Sequence, residues 1–503
     1  MKYSATYYSK LKKVSKPFVQ CITGNILKTR KSMNINFWGI LIIFLSQSVS
    51  FNTSATIKHG LRDAQDRHMI PRGFVANTND HAGAVDFQPQ DYLRMARMGA
   101  NVQVIRLEMG RLSRFGNGRF EPAYMERLKR GTKLAREAGI KTVFKLTVYG
   151  TGGFSWEALW RNQNNEQDIY IDAWRHVWEA FKDNEYVIGY DLVNEPRKLE
   201  MDISYDELTN KYLLPFYEKI IDAALPYSEQ KQFLIQTIFM NKGDAINRNQ
   251  YHQITQKINR NNIVFAPHIY QENLDYIAPT MQRFEKEAEL LDAPILVGEW
   301  GFPTFVTTDE SIKEQLNYID FYIKTAEVFD EMGIGSIKAW FLGNRSYQNF
   351  LPGGESTWAI FSDKQAIGTV ERKYITDIIA RPYPKLIAGD IQSFMFHFAT
   401  RTLDLTIQTD NKRGASKIFI GADRHYPDGF SVHVGDDVIL SKSPLSVGFT
   451  VHHSSPNTDI SNFIWDESNQ QLIVLAWPKD NAPVNVKVSP GIFKFPDLKA
   501  KNN

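Results

Sequence analysis

The sequence predicts a protein of the α/β class, with a closed parallel (β/α)8 barrel followed by a small all-β sandwich. Three observations support this fold class. The chain has 503 residues, of which 43% are hydrophobic, so it exceeds the roughly 250 to 300 residues that one core usually serves. Short apolar runs alternate with helical patterns from residue 70 to 380. After that the hydrophobic period changes to two, which indicates a second domain of a different class.

The first 50 residues contain the features of an export signal in the expected order. They hold eight Lys and Arg residues and no Asp or Glu, and the apolar run Phe37–Leu45 is followed by small polar residues. This run is shorter than the about 20 residues that span a bilayer, but it suits the core of a signal peptide. We therefore expect residues 1–50 to be a signal peptide or a short N-terminal anchor. The protein would be exported to a periplasm or to the extracellular space, without a stable membrane span.

The composition excludes several classes of function. Without residues 1–50, acidic residues exceed basic ones by five, so the basic face that nucleic-acid binding needs is not indicated. The single cysteine, Cys21, lies in the predicted signal, and a mature chain would have no disulfide, thiolate nucleophile or cysteine zinc site. The sequence also contains no H-E-x-x-H motif. We predict no metal, no cofactor and no nucleic-acid partner.

Eight candidate strands form the barrel, which we assign to residues 51–380. Between them, apolar residues recur at spacings of three and four, as in amphipathic helices. No glycine-rich phosphate-binding turn follows any of the strands, which disfavours an open doubly wound sheet. The candidate strands are Arg72–Ala76, Val102–Leu107, Thr142–Val148, Val187–Val193, Phe233–Thr237, Ile263–His268, Ile295–Val297 and Ser336–Trp340.

The sandwich is assigned to residues 381–503. The proline-rich stretch at 381–385 marks the boundary, because proline ends both helices and central strands. Beyond it, apolar residues alternate with polar ones between turn residues, which is typical of short antiparallel strands. The candidate strands are Phe394–Phe398, Leu403–Ile407, Ile418–Ile420, Phe430–Val434, Leu472–Leu475 and Val484–Val488.

Two glutamates end predicted barrel strands, where the catalytic groups of such barrels collect. Glu195 follows the fourth strand and Glu299 follows the seventh. They lie 104 residues apart, which corresponds to about three βα units, so both should face the barrel mouth. A carboxyl pair of this kind suits cleavage of a glycosidic bond, because one group protonates the leaving oxygen while the other meets the oxocarbenium-like centre.

The residues around these strand ends resemble glycoside hydrolase family 5, a family of retaining (β/α)8-barrel enzymes. The resemblance extends from residue 70 to 380 and places each motif at its expected strand. It implies that Glu195 is the acid/base and that Glu299 is the nucleophile that forms a glycosyl-enzyme intermediate. It also implies substrate binding by Arg106, Asn194, His268, Tyr270 and Trp340.

The two glutamates are expected to differ in charge. Arg106 and Tyr270 should keep Glu299 ionised, whereas Glu195, beside another carboxylate and aromatic walls, should be held protonated. A retaining mechanism places the carboxyl groups about 5 to 5.5 Å apart. The third strand departs from the family pattern. It has Thr147 or Tyr149 where the family usually has a histidine, which alters the sugar contact expected there.

The sequence thus predicts an exported retaining β-glycosidase that hydrolyses a β-linked glucan as cellulases do. Its partner would be an oligosaccharide, a polysaccharide or a glycoconjugate. A second possibility is a hydrolase of glycosphingolipids, because the junction Arg381–Pro384 and the stretch Tyr190–Pro196 resemble the endoglycoceramidase branch of the family. A third is a carbohydrate-binding barrel without turnover, since a fold alone does not prove activity.

Overall fold

The computed structural model describes residues 60–76, 87–115, 118–148, 151–199, 201–239, 253–270, 273–301, 312–341, 360 and 371–493. The predicted export segment, residues 1–50, and Tyr149 lie outside these ranges. All the described residues belong to one compact unit, Ser54–Asn503. No helix among them has both the length and the apolar character needed to cross a bilayer.

A ring of parallel strands confirms the predicted barrel. A short hairpin, β1 (Leu61–Arg62) and β2 (His68–Met69), precedes it. The barrel strands are β3 (Arg72–Val75), β4 (Val102–Glu108), β5 (Lys141–Thr147), β6 (Val187–Asp191), β7 (Gln232–Ile235), β8 (Ile263–Phe265), β9 (His268–Ile269), β10 (Leu296–Trp300) and β11 (Gly335–Lys338). Their order in the sheet is β8-β7-β6-β5-β4-β3-β11-β10-β9.

The nine strands make eight positions in the ring, because β8 and β9 are two pieces of the sixth predicted strand. The first piece pairs with β7 and the second with β10, both in parallel. A further parallel bridge between Phe265 and Ile295 connects the two ends of the sheet. The sheet therefore closes on itself, and the carboxyl ends of all its strands point to one mouth.

Helices cover the outside of the barrel with their apolar faces. In the helix Glu166–Phe181, Trp174 and Trp178 lie four positions apart and are both fully buried. This spacing places them on the face of the helix that packs against the barrel. The helices are α1 (Pro89–Arg97), α2 (Pro122–Glu137), α3 (Trp156–Trp160), α4 (Glu166–Phe181), α5 (Tyr205–Leu208), α6 (Leu214–Ser228), α7 (Ile277–Leu291), α8 (Ile312–Glu331), α9 (Lys373–Ile379) and, in the sandwich, α10 (Ala422–His425).

The C-terminal part consists of antiparallel sheets, as predicted. The strands after the barrel are β12 (Tyr383–Ile387), β13 (Gly389–His397), β14 (Thr402–Thr409), β15 (Ser416–Phe419), β16 (Phe430–Val434), β17 (Val438–Lys442), β18 (Thr450–Ser454), β19 (Phe463–Asp466), β20 (Gln471–Val474) and β21 (Pro483–Pro490). One sheet has the order β1-β2-β12-β15-β20-β19 and the other β13-β14-β21-β16-β17-β18.

The N-terminal hairpin belongs to a sandwich sheet although it precedes the barrel in the chain. Met69 pairs with Leu386 and His68 with Ile387, so β2 adds to β12. The sheet thus draws strands from both sides of the barrel. The domain limits at residues 50 and 380 stay predictions.

Candidate active site

Charged side chains from neighbouring strands meet near the carboxyl end of the barrel. The register pairs Arg106 on β4 with Lys145 on β5, and Lys145 with Asp191 on β6. Across the ring it pairs Glu299 on β10 with His268 on β9. All five side chains are buried. Buried charges need hydrogen-bond or ion-pair partners, and these five side chains provide them for one another.

Lys145 lies at the centre of this group and is fully buried. Its Nζ atom is 2.9 Å from Glu299 Oε1 and 3.2 Å from Asp191 Oδ2. The same atom is 2.9 Å from His268 Nε2. One ammonium group therefore contacts two carboxylates and a histidine from three other strands.

Glu299 is surrounded by donors. Besides the bond from Lys145 to Oε1, its Oε2 atom accepts a hydrogen bond of 2.5 Å from the Tyr270 hydroxyl. Burial raises the pKa of Glu299, but the charges of Lys145 and Arg106 and the bond from Tyr270 lower it by more. The net pKa lies well below the usual range of a glutamate. Glu299 is therefore ionised, in agreement with the prediction.

Glu195 has an unusual backbone. Its φ angle is +46°, in the left-handed region that residues other than glycine rarely adopt. Its N–H donates to Gln236 Oε1 at 3.1 Å, which holds the residue in this conformation. Such strain at the end of a strand is typical of a functional site, where it fixes the direction of a side chain.

The surroundings of Glu195 differ from the prediction. Its Oε1 atom is 3.1 Å from His268 Nδ1, and its Oε2 atom is 3.5 Å from an Arg197 guanidinium nitrogen. Burial and the charge of Glu299 raise the pKa of Glu195, but the bond with His268 and the charge of Arg197 lower it by more. The prediction that Glu195 is held protonated is therefore wrong for the free protein, because two donors missing from that argument favour the carboxylate.

The two carboxylates are close to each other. One carboxylate oxygen of Glu195, one of Glu299 and a ring nitrogen of His268 all lie within 4.8 Å of one another. His268 Nδ1 is also 3.9 Å from Glu299 Oε2, so this nitrogen lies near both carboxylates. This proximity fits the short separation of a retaining pair, about 5 to 5.5 Å.

The same three residues have the spacing of a possible metal site. A divalent cation bound to Glu299 and His268 would lie against the Lys145 ammonium, which is 2.9 Å from an atom of each. It would also face Arg197 beside Glu195. The positive charges already supplied by the chain disfavour a cation at this position. Absence of a metal and of a cofactor stays a prediction.

The remaining predicted residues surround this pair. The Arg106 guanidinium lies 4.8 Å from the Trp340 ring centroid and 3.5 Å from Thr147 Oγ1. Trp340 is buried at 1% exposure, so the ring supports Arg106 in this structure. Asn194 is also buried, and its Oδ1 atom has no hydrogen-bond partner among the described residues. Their roles in substrate binding stay predictions.

Sequence reasoning missed Lys145, Asp191, Arg197 and Gln236. Gln236 donates to both oxygens of Asp191, at 2.8 and 2.9 Å, and accepts from the Glu195 backbone. One signal was present. Lys145 and Asp191 each interrupt an otherwise apolar run of a buried strand, where a charge is rare unless it is paired.

The fold and this site define the class of protein to which the chain belongs: it is a member of glycosyl hydrolase family 5. The family's cellulase domain matches residues 74–340. The family 5 C-terminal domain matches residues 381–488. The resemblance inferred from the motifs is thereby confirmed, as is the fold class.

Two relatives of the chain are endoglycoceramidases. The protein of Cyanea nozakii is 23% identical over 330 residues, which cover 59% of this chain and 58% of the relative. That of Hydra vulgaris is 24% identical over 311 residues, which cover 58% and 53%. The chain spans less than two thirds of the length of these relatives.

Among solved structures, endo-glycoceramidase II from Rhodococcus sp. is similar with a TM-score of 0.63 and 22% identity. The match covers 86% of this chain and 100% of that chain. At this identity the likeness supports the fold, a barrel followed by a sandwich.

Proposed function

We propose that the protein is a retaining β-glycosidase in which Glu299 is the nucleophile and Glu195 the acid/base. The observation that carries the proposal is the buried pair of carboxylates, of which Glu299 is held ionised by Lys145 and Tyr270. An ionised carboxylate beneath the sugar can attack the anomeric carbon. The second carboxylate lies close enough to serve the leaving oxygen of the same bond.

In the first step, Glu299 forms a bond to the anomeric carbon while the glycosidic bond breaks. Glu195 gives a proton to the leaving oxygen, and the aglycone departs as an alcohol. Because Glu195 is ionised in the free protein, this step requires that it takes up a proton once the sugar is bound. The negative charge of Glu299 favours that proton, because it raises the pKa of Glu195.

In the second step, Glu195 takes a proton from water, whose oxygen attacks the anomeric carbon and releases Glu299. Esterification has removed the charge of Glu299, so the pKa of Glu195 falls further and the carboxylate becomes the required base. The bond from His268 and the charge of Arg197 favour the same ionised form. The anomeric configuration is retained after two inversions.

For the substrate we propose a glycosphingolipid, cleaved between its oligosaccharide and its lipid. The support comes from the relatives, which are named endoglycoceramidases, and from the family 5 C-terminal domain that follows the barrel. The similar Rhodococcus enzyme has been captured as a lactosyl-enzyme intermediate and in complex with ganglioside GM3. A β-glucan substrate has no comparable support and stays a prediction. We further propose export, on the order of features in residues 1–50.

The test is product analysis with Glu299→Gln. The wild-type chain is incubated with lactosylceramide, a ganglioside, a β-glucan and a β-mannan, and released sugars are identified by mass spectrometry. We expect the glycolipids to yield intact oligosaccharides. NMR of the fresh product should show the β-anomer, as a retaining mechanism requires. Glu299→Gln should lower turnover by roughly three orders of magnitude or more. Glu327→Gln, on the outer helix α8, is the matched control and should keep wild-type turnover.

Each alternative has its own result. Release from the β-glucan alone would replace the glycolipid proposal by the cellulase-like one. Binding of the glycolipids without any product would favour the carbohydrate-binding barrel. Full turnover in Glu299→Gln would reject the assignment of the nucleophile.

A further inference from the structure

The ammonium group of Lys145 has an acceptor within reach for each of its three hydrogens. An ammonium group has three N–H donors and no acceptor. The three nearest acceptors are Glu299 Oε1, His268 Nε2 and Asp191 Oδ2, at 2.9, 2.9 and 3.2 Å. A fourth, weaker contact reaches the Gly298 carbonyl at 3.4 Å. With its side chain fully buried, Lys145 has one orientation that satisfies all three partners.

This arrangement fixes the tautomer of His268. Because an ammonium only donates, His268 Nε2 must accept and carries no hydrogen. In the neutral ring the hydrogen is then on Nδ1, which lies 3.1 Å from Glu195 Oε1. His268 thus donates to Glu195. One side chain, Lys145, reaches the first carboxylate directly and the second through the histidine.

We propose that Lys145 is a positioning residue that couples the two carboxylates: it holds Glu299 ionised and oriented, and it fixes the His268 tautomer that donates to Glu195. The inference rests on the proposed function and deepens it. Lys145 itself is fully buried and is paired through the strand register with Arg106 and Asp191, and we do not propose that it touches the sugar.

The geometry favours a lysine over an arginine at this position. A guanidinium is planar and presents its donors in a fork, so it does not direct three hydrogens to a carboxylate, an imidazole and a second carboxylate in different directions. Asp191 completes the arrangement, because two bonds from Gln236 hold its carboxylate in place. Asp191 orients Lys145, and the charge of Lys145 acts on Glu299.

The experiment compares two variants of the full chain. Lys145→Met alone would leave Asp191 as an unpaired buried charge, which destabilises the fold. The double variant Lys145→Met/Asp191→Asn removes both charges of the pair and avoids this effect. Asp191→Asn keeps Lys145. Folding is followed by circular dichroism and by the melting temperature. Lys385→Met removes a buried lysine of the sandwich and controls for the general effect of such a substitution.

The measurement is the pH dependence of kcat/KM on an aryl β-lactoside, whose good leaving group needs little help from Glu195. In the wild type, the acidic limb should lie at the low end of the accessible range, because Glu299 stays ionised. In the double variant we expect the acidic limb to move up by at least one pH unit. Asp191→Asn should not raise the limb.

The outcomes separate the two proposals. An acidic limb of the folded double variant at the wild-type position would overturn the role of Lys145, as would an equal upward shift in Asp191→Asn. Failure of the proposed function has another signature: the wild type would hydrolyse neither the aryl lactoside nor a glycolipid. Labelling of Glu299 by a 2-fluoro-lactoside, detected by peptide mass spectrometry, checks the nucleophile in the wild type independently of Lys145.

Discussion

Glu299 and Glu195 have the same side chain and share His268, yet their surroundings suit different tasks. Glu299 contacts the buried Lys145 ammonium and the Tyr270 hydroxyl, and both contacts favour its ionised form. Glu195 is more open, with 13% of its side chain exposed, and its nearest cation is Arg197 at 3.5 Å. The first arrangement favours a permanent carboxylate. The second allows the proton to enter and leave during turnover.

Substitution of Arg197 tests how the pKa of Glu195 is set. The charge of Arg197 lowers the pKa of Glu195, so Arg197→Met should raise it. The basic limb of the kcat/KM profile reports loss of the proton from Glu195, and it should therefore move to higher pH, by up to about one unit. Lys198→Met removes the same charge from the next residue, whose Nζ atom lies over the Tyr205 ring, and should leave the limb in place. A basic limb that is unchanged in Arg197→Met would contradict the prediction.

At the scale of elements, the barrel could be predicted because each strand is a separate apolar run. All eight predicted strands are present, and the sixth is divided in two at Ala266 and Pro267. The hairpin β1–β2 could not be predicted, because strands of two residues show no period. The strands β12, β17, β18 and β19 were also missed, and β12 lies where the sequence predicted only a proline-rich boundary. In β18, no residue is buried, so the sequence lacks the alternation that marks a strand.

The candidate site was predictable to the extent that its residues end strands. Glu195, Glu299, His268 and Tyr270 follow this rule and meet in the structure. Lys145 acts through space, by contacts with residues 46 to 154 positions away, and the sequence does not show which strands are neighbours across the barrel. The pKa of Glu195 was wrongly predicted for the same reason.

The hairpin strand β2 provides a pH-dependent contribution to stability. His68 is fully buried, and its Nδ1 atom accepts from the Ile391 backbone N–H at 3.2 Å. Burial lowers the pKa of His68 to about 4, so the folded state binds its proton less readily than the unfolded state. Between pH 6.5 and 4 the unfolded state holds more protons. The free energy of unfolding should therefore decrease as the pH falls through this window, by about 3 kcal/mol for this residue.

His68→Asn keeps an acceptor for Ile391 and removes the titrating ring. Urea unfolding at pH 4.5 and 7 should show a smaller difference for this variant than for the wild type. His397→Asn, with half of its side chain exposed on β13, is the control and should keep the wild-type difference. Equal pH dependence in His68→Asn and wild type would show that the buried histidine is not the cause.

At the scale of the whole molecule, one buried aspartate connects the barrel to the sandwich. Asp330, on the outer helix α8, accepts from Arg72 on β3 and from Arg381 at the start of the junction. The three side chains are at most 7% exposed. The Arg72 guanidinium also lies 4.0 Å from the ring centroid of Tyr383, whose hydroxyl donates to the Gly99 carbonyl. The first barrel strand, an outer helix and the first sandwich strand after the junction thus share one network.

Asp330→Asn should therefore weaken both domains together. The substitution leaves two buried guanidinium groups without their counter-charge, although burial and the charge of Arg381 already lower the pKa of Arg72 to about 9. Loss of one member of a buried ion pair costs about 3 to 5 kcal/mol, so we expect a decrease of this size in the free energy of unfolding. Calorimetry should show one transition in the wild type and, in Asp330→Asn, a transition at lower temperature or two separate ones.

The control is Asp320→Asn, an exposed position on the same helix, which should change the free energy of unfolding by no more than about 0.5 kcal/mol. A melting profile of Asp330→Asn equal to that of Asp320→Asn would mean that the domains are held together by their apolar contacts and not by this network.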